Sequence, residues 1–423
     1  MGRHGFKASM KMLDKLPGLM ISLFLAASVY SNAPAFNHSA FAIPIIISFV
    51  IILLWAVLAG RYCFSFGIGK IGLLCIFSLI FSFLFVSEFS VKKLMYFFAH
   101  LWFLLFAISL HFFVRVKKVS VDFRFLFFSV VPLTVLSCLE AVLPYWEVDI
   151  GSYIPRVERA FYMIDSGFGF FRSRGFNYES AYSAMYINVV FPILLHYFKE
   201  EWMILVPLWL FLLILTMSLF QIGLLGLLFL AFLLYLIMNA IVCSKNGLFF
   251  GLVKFMYKWS KWEFSLLSYV VITCFILLVL SNLTFWLSWI QAFYDWFFLN
   301  LSGGSSSAQD RLSKLNAALG FIDSNGAFGL GLGGIQLAGL NGISSFYLAL
   351  IVQLGILAIP LFLFVGWLCY LAWRSGSVLI GCAFVCAFAH LLIVDTFYLP
   401  QVFVALIAVY LRCRDIGCVD SRC

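Results

Sequence analysis

Charge is scarce in this chain. Asp, Glu, Lys and Arg together make up 11% of 423 residues, against 64% hydrophobic residues and 51 phenylalanines. That excludes an ordinary soluble core, which cannot absorb so much apolar side chain, and makes lipid the expected solvent. No stretch is polar enough for a soluble domain of ordinary size. The glycine-rich run around residue 330 lacks the lysine and following serine or threonine of a phosphate-cradling nucleotide loop, and no strand precedes it. No small-x-small cleavage site separates the basic segment holding Arg3, Lys7, Lys11 and Lys15 from the apolar run behind it, so that run is expected to stay as a first span. No clear internal repeat is present, and the apolar runs hold almost no lysine or arginine.

What is present is a series of apolar runs of bilayer length separated by charged or turn-rich breaks. About twelve spans are expected, near 17–34, 41–60, 71–88, 95–114, 124–144, 181–198, 202–219, 222–242, 264–287, 344–372, 377–395 and 397–411. The expected fold class is all-α, a polytopic integral membrane protein forming a single membrane domain over 1–423. With a cytoplasmic N-terminus, the basic residues divide roughly two to one in favour of the inner side. The formal charge of +9 then reflects topology and needs no nucleic-acid partner. The eleven cysteines all fall in spans or on that inner side, which leaves no disulfide framework outside. Cys382 and Cys386, one helical turn apart with no histidine near, read as packing residues, not a metal site.

This topology leaves two long outward loops, 145–180 and 288–343, and they hold most of the polar residues that the inside rule does not explain. The first ends in Arg172-Ser-Arg174-Gly-Phe-Asn177-Tyr178-Glu179-Ser180 at the mouth of the sixth span. Asn177 is the expected helix cap, which puts Glu179 in the first turn, where the helix dipole favours its ionised form. The exposed amides of that helix start, together with Arg172 and Arg174, make a candidate site for phosphate oxygens. The bland alternative is pairing with Glu158, Asp165 and Glu179 or with lipid headgroups. Positive charge on the outer side runs against the bias of the rest of the chain, and that favours a use.

The second loop begins with an aromatic segment, Phe285 to Phe298, expected at the membrane interface. A helix is then expected from the capping box Ser307-Ala-Gln-Asp310. Its apolar stripe is Leu312, Leu315, Leu319 and Ile322, which packs on protein or lipid, and Arg311 and Lys314 point together from another stripe. Next comes Asp323-Ser-Asn325-Gly-Ala-Phe328-Gly329-Leu-Gly331-Leu-Gly333-Gly334. So many glycines suit close backbone approach, either to a ligand or to neighbouring helices.

The order of these segments resembles the bacterial O-antigen and exopolysaccharide polymerases of the Wzy type, which share a membrane superfamily with the O-antigen ligases. Four segments carry the resemblance: Arg172 to Ser180, Arg311 with Lys314, Phe328 to Gly333, and Ser345-Phe-Tyr347 through Gln353-Leu-Gly355. It implies a metal-independent glycosyltransferase without a cofactor, in the bacterial inner membrane with both termini cytoplasmic and its site facing the periplasm. Donor and acceptor would be polyprenyl diphosphate oligosaccharides, and a chain-length regulator and a flippase would be partners. Arg174, Arg172 and Arg311 would stabilise the departing diphosphate, and Glu179 would take the acceptor proton. Lys314, Asn177, Tyr178, Asn325, Gly329 and Gly331 would contact diphosphate or sugar. The chain departs from related ligases in lacking a histidine at Gly342-Ile-Ser344-Ser345-Phe-Tyr347, which argues against a lipid A-core ligase. Within a span, His390 reads as a packed polar contact or as part of a deeper site. The competing class is a lipid-linked oligosaccharide flippase or other secondary transporter, but its charges would line a central cavity.

Overall fold

The computed structural model describes residues 3–30, 42–59, 67–85, 90–146, 148, 173, 175–176, 180–216, 223–224, 226, 306–324, 327–337, 343, 345–392 and 399–417. The described residues are helical throughout, joined by turns. The helices are α1 (Arg3–Ala27), α2 (Ile43–Ala59), α3 (Gly67–Phe85), α4 (Val91–His111), α5 (Phe127–Val142), α6 (Ser180–Tyr197), α7 (Trp202–Thr216), α8 (Ser306–Ser324), the single turn α9 (Gly334–Leu337), α10 (Phe346–Leu354), α11 (Ile359–Arg374), α12 (Val378–His390) and α13 (Pro400–Asp415). Three stretches, Lys93–Val116, Phe123–Val142 and Phe346–Arg374, are long and apolar enough to cross a membrane, and shorter apolar helices accompany them. The runs expected over 222–242 and 264–287 and the aromatic segment Phe285 to Phe298 lie outside the described residues.

Two helices are buried all round. Every residue of α13 from Pro400 to Leu411 is buried, and so is α6 from Tyr182 to Leu195. A helix without a solvated face needs neighbours on every side. α6 packs on α7, α12 and α13, and α13 packs further on α4 and α11. Phenylalanine fills the interior: Phe403 of α13 meets Phe106 at 4.5 Å, Trp102 at 5.2 Å and Phe103 at 5.4 Å on α4, and Phe24 of α1 at 6.4 Å. The helices around this core turn large apolar side chains outward, among them Leu53, Val57, Phe77, Phe128, Ile204, Leu363 and Trp373. An interior of rings inside an apolar shell is what a hydrocarbon solvent permits.

The single helix expected over 344–372 is broken, and the break has a physical cause. At Gly355 the backbone turns to φ +54°, α10 stops at Leu354, and a 3₁₀ turn over Gly355–Ala358 leads into α11. Backbone groups released from the helical ladder bond to the glycine-rich segment 327–334. Leu330 N–H donates to Val352 O at 2.9 Å, Gly331 N–H to Gln353 O at 2.8 Å, and Ile356 N–H to Ala327 O at 2.8 Å. Gly333 N–H also reaches the Gln353 side-chain oxygen at 3.1 Å. A Cβ on Gly355 would collide with the Ala327 carbonyl, and one on Gly329 would lie 2.6 Å from Val352 O. Of the two uses expected for these glycines, the one seen is approach to a neighbouring helix.

α8 starts at Ser306, one residue ahead of the serine expected to cap it. Its stripe Leu312, Leu315, Leu319 and Ile322 is exposed. Instead, Ala318 and Phe321 pack against Ala349, Val352 and Leu348 of α10. Of the two surfaces offered to the leucine stripe, the described protein is therefore not the one it meets.

Candidate functional site

The helix ends sort into two clusters. At one end, Arg414 of α13 donates to Val119 O at 2.8 Å, Phe123 stacks on Tyr197 at 4.2 Å, and Ser377 meets His196 at 3.0 Å. Arg115, Lys117, Lys118, Arg124, Lys199, Arg374 and Arg412 belong to this end, at or beside the same helix termini. A cavity of about 220 Å³ opens here, lined by Asp122, Arg124, Tyr197, Arg414 and Asp415 among others. Its charges pair locally: Arg124 holds Asp122 at 2.8 Å and Arg414 holds Asp415 at 2.9 Å. The hydrogen bonds from Arg124 pull the Asp122 carboxyl below the usual carboxylate range.

The other end gathers the finish of α5, α7 and α12 with the start of α6 and α10, and here Ser173 and Gly175 are fastened. Glu140, near the end of α5, is buried. Its Oε2 accepts from Gly175 N–H at 2.7 Å and from Ser173 Oγ at 3.1 Å. Ser173 N–H donates to Leu215 O of α7 at 2.9 Å. Gly175, at φ +54°, lies so close that a Cβ would sit 2.5 Å from Leu133 Cδ1 and 3.4 Å from Ser183 Oγ. The positive φ is what favours glycine here. Phe176 follows and packs on Tyr30 at the end of α1 at 4.7 Å. Two oxygens are thus set beside this turn, since the buried Ser137 Oγ makes no hydrogen bond among the described residues and lies 3.8 Å from the same Cβ position.

The second polar segment reaches this end through α12. Tyr182, one turn into α6, meets the buried His390 edge-on at 5.6 Å. The Leu391 carbonyl next to it accepts from Phe346 N–H at 2.9 Å, and Phe388 O accepts from Tyr347 Oη at 3.0 Å. Ser345 caps α10, against which Ala318 of α8 packs. Phe346 also stacks on His100 of α4 at 6.4 Å.

Among the residues expected in the site, Arg172, Arg174, Asn177, Tyr178, Glu179 and Asn325 lie outside the described residues, as does the side chain of Arg311. The cap expected at Asn177 lies there too, since the described part of α6 begins at Ser180. Lys314 is half-buried on α8, in register with Ala318 and Phe321 on the face turned to α10. Gly329 and Gly331 hold the break at Gly355. Glu140 was missed because it sits inside an apolar run counted as span; an acid in such a run is itself the signal, since charge in hydrocarbon is expensive and marks use. No known protein family, curated protein or solved structure matches the chain.

Proposed function

We propose that the chain is a multi-span glycosyltransferase of about twelve membrane helices that polymerises polyprenyl diphosphate-linked oligosaccharide repeat units on the outer face of a bacterial inner membrane. The observation that carries this reading is the fastening of the Ser173–Gly175 turn, which brackets Arg174, to Glu140 and α7 at the helix-bundle end remote from the Arg115–Arg414 cluster. Cations gathered at one end suit the cytoplasmic side, and a pinned arginine turn at the other suits an anion outside.

In the proposed step, a hydroxyl of the incoming repeat unit attacks the anomeric carbon of the growing glycan. A new glycosidic bond forms, the bond from that carbon to the diphosphate oxygen breaks, and polyprenyl diphosphate leaves with the electron pair. Arg174, Arg172 and Arg311 meet the charge that develops on the leaving group, and guanidinium groups held in a site screened from water do this without reorganising. Glu179 takes the hydroxyl proton. Lys314 adds a cation from the α8 side.

The discontinuity at Gly355 resembles the broken helices of transporters. Its released carbonyls, Val352 O and Gln353 O, already accept from Leu330 and Gly331, so it works as a docking joint and the transferase reading is preferred to a flippase. The test is polymer formation in cells carrying Arg174→Ala, Glu179→Gln or Lys92→Ala, at equal protein level. The first two are expected to abolish polymer and the third to leave it unchanged. A normal polymer ladder with Arg174→Ala contradicts the reading.

A further inference from the structure

We infer that Glu140 is a positioning residue for the transfer, the anchor that fixes the backbone at Ser173 and Gly175 on either side of the proposed diphosphate-binding Arg174. The inference rests on the function proposed above. Its geometry is specific: one carboxylate oxygen collects the hydroxyl of Ser173 and the amide of Gly175, the residues on either side of Arg174. A third bond, from Ser173 N–H to Leu215 O, ties the same turn to α7. The backbone at Ser173 and Gly175, on either side of the arginine, is therefore held to two separate helices. Ser173 is fully buried and Gly175 lies beside Leu133, so the turn is seated in the protein interior, where backbone polar groups must find partners.

Placing a carboxylate in an apolar run is costly, and this one spends at least two of its lone pairs on the loop that carries the proposed chemistry. Electrostatic stabilisation of a leaving group depends on donors fixed before the reaction, and a misplacement of about 1 Å can lower the rate on the order of a hundredfold. Glu140 supplies that fixation without touching substrate.

The test uses the full chain in lipid nanodiscs and reads the seating of the turn directly, as the rate of trypsin cleavage after Arg172 and Arg174, alongside polymer formation in cells. Both scissile amides are held in the intact protein, Ser173 N–H by Leu215 and Gly175 N–H by Glu140. Glu140→Ala is expected to speed cleavage at these two sites by at least about tenfold and to reduce polymer on the order of a hundredfold. Glu140→Gln keeps a carbonyl oxygen able to accept both bonds and is expected to restore protection and most of the polymer, a rescue that a requirement for bulk alone does not predict. Gly175→Ala, which unseats the turn without altering the acid, is expected to match Glu140→Ala and covers the case in which that variant fails to fold. Unchanged cleavage in Glu140→Ala overturns the inference, as does faster cleavage with undiminished polymer. Failure of the proposed function shows up separately: cleavage then responds to Glu140 as expected, yet deletion of the protein leaves polymerisation intact.

Discussion

Replacing Gly355 with alanine is expected to unlock the joint between α10, α11 and the glycine segment. The φ of +54° costs an L-residue about 1–2 kcal/mol. The new Cβ meets the Ala327 carbonyl, which must move, and with it go the bonds from Ile356 to Ala327, Leu330 to Val352 and Gly331 to Gln353. At about 1 kcal/mol each, and up to three bonds weakened, the total is about 3–5 kcal/mol. Gly366, in the middle of α11, is the control: a Cβ there meets nothing within 4 Å, and Gly→Ala in a helix interior is stabilising by about 0.5–1 kcal/mol. Fluorescence melting in detergent, with the 12 tryptophans as reporters, is expected to show Gly355→Ala about 3–6 °C below the intact protein and Gly366→Ala at or above it. Equal melting of the two variants would refute the account of why this helix breaks.

Further outcomes follow from the core and from the cation-rich end. Phe403→Ala removes a fully buried ring from the four neighbours around it and is expected to cost about 3–5 kcal/mol; Phe128→Ala, on a residue 68% exposed, is expected to cost far less, and the two are compared by the same melting assay. Asp122 also caps the 3₁₀ turn at Phe123 through Arg124 N–H at 2.9 Å. Because Arg124 lowers its folded-state pKa below the ordinary 3.8, the stability it contributes is present above about pH 4 and is lost as pH falls through the lower folded value. Asp122→Asn is expected to flatten that acid limb of a melting-against-pH profile by lowering the region above about pH 5 to the same extent, a small one because the pair is exposed and screened. An unaltered acid limb would remove Asp122 as its source.

The apolar helices were legible because membrane solvent writes them in long runs that charge interrupts, and α2, α6, α12 and α13 begin or end within a few residues of the expected limits. The break at Gly355 was not legible, since the run from Phe346 to Arg374 is apolar throughout and the groups that satisfy the broken ladder come from Ala327 to Gly331, more than twenty residues earlier. The same separation hid Glu140. Its partners Ser173 and Gly175 are 33 and 35 residues away, so sequence offers the acid and the turn but not their joining. For α8, periodicity found the helix and the leucine stripe but not which of protein or lipid the stripe would meet. It did not single out the Ala318 and Phe321 face, because alanine carries too little hydrophobic signal to compete with four larger aliphatic residues. The arginine turn stood out as positive charge placed against the prevailing bias, and the structure adds what holds its backbone.

The measurement that bears most directly on the proposed activity is the size and sidedness of carrier-linked glycan in cells lacking this protein, complemented with the intact chain or with Arg174→Ala. The account predicts single repeat units accessible on the outer face in both the deletion and the Arg174→Ala strain, with long polymer restored only by the intact chain. Units retained on the cytoplasmic face would contradict it and make the chain a flippase.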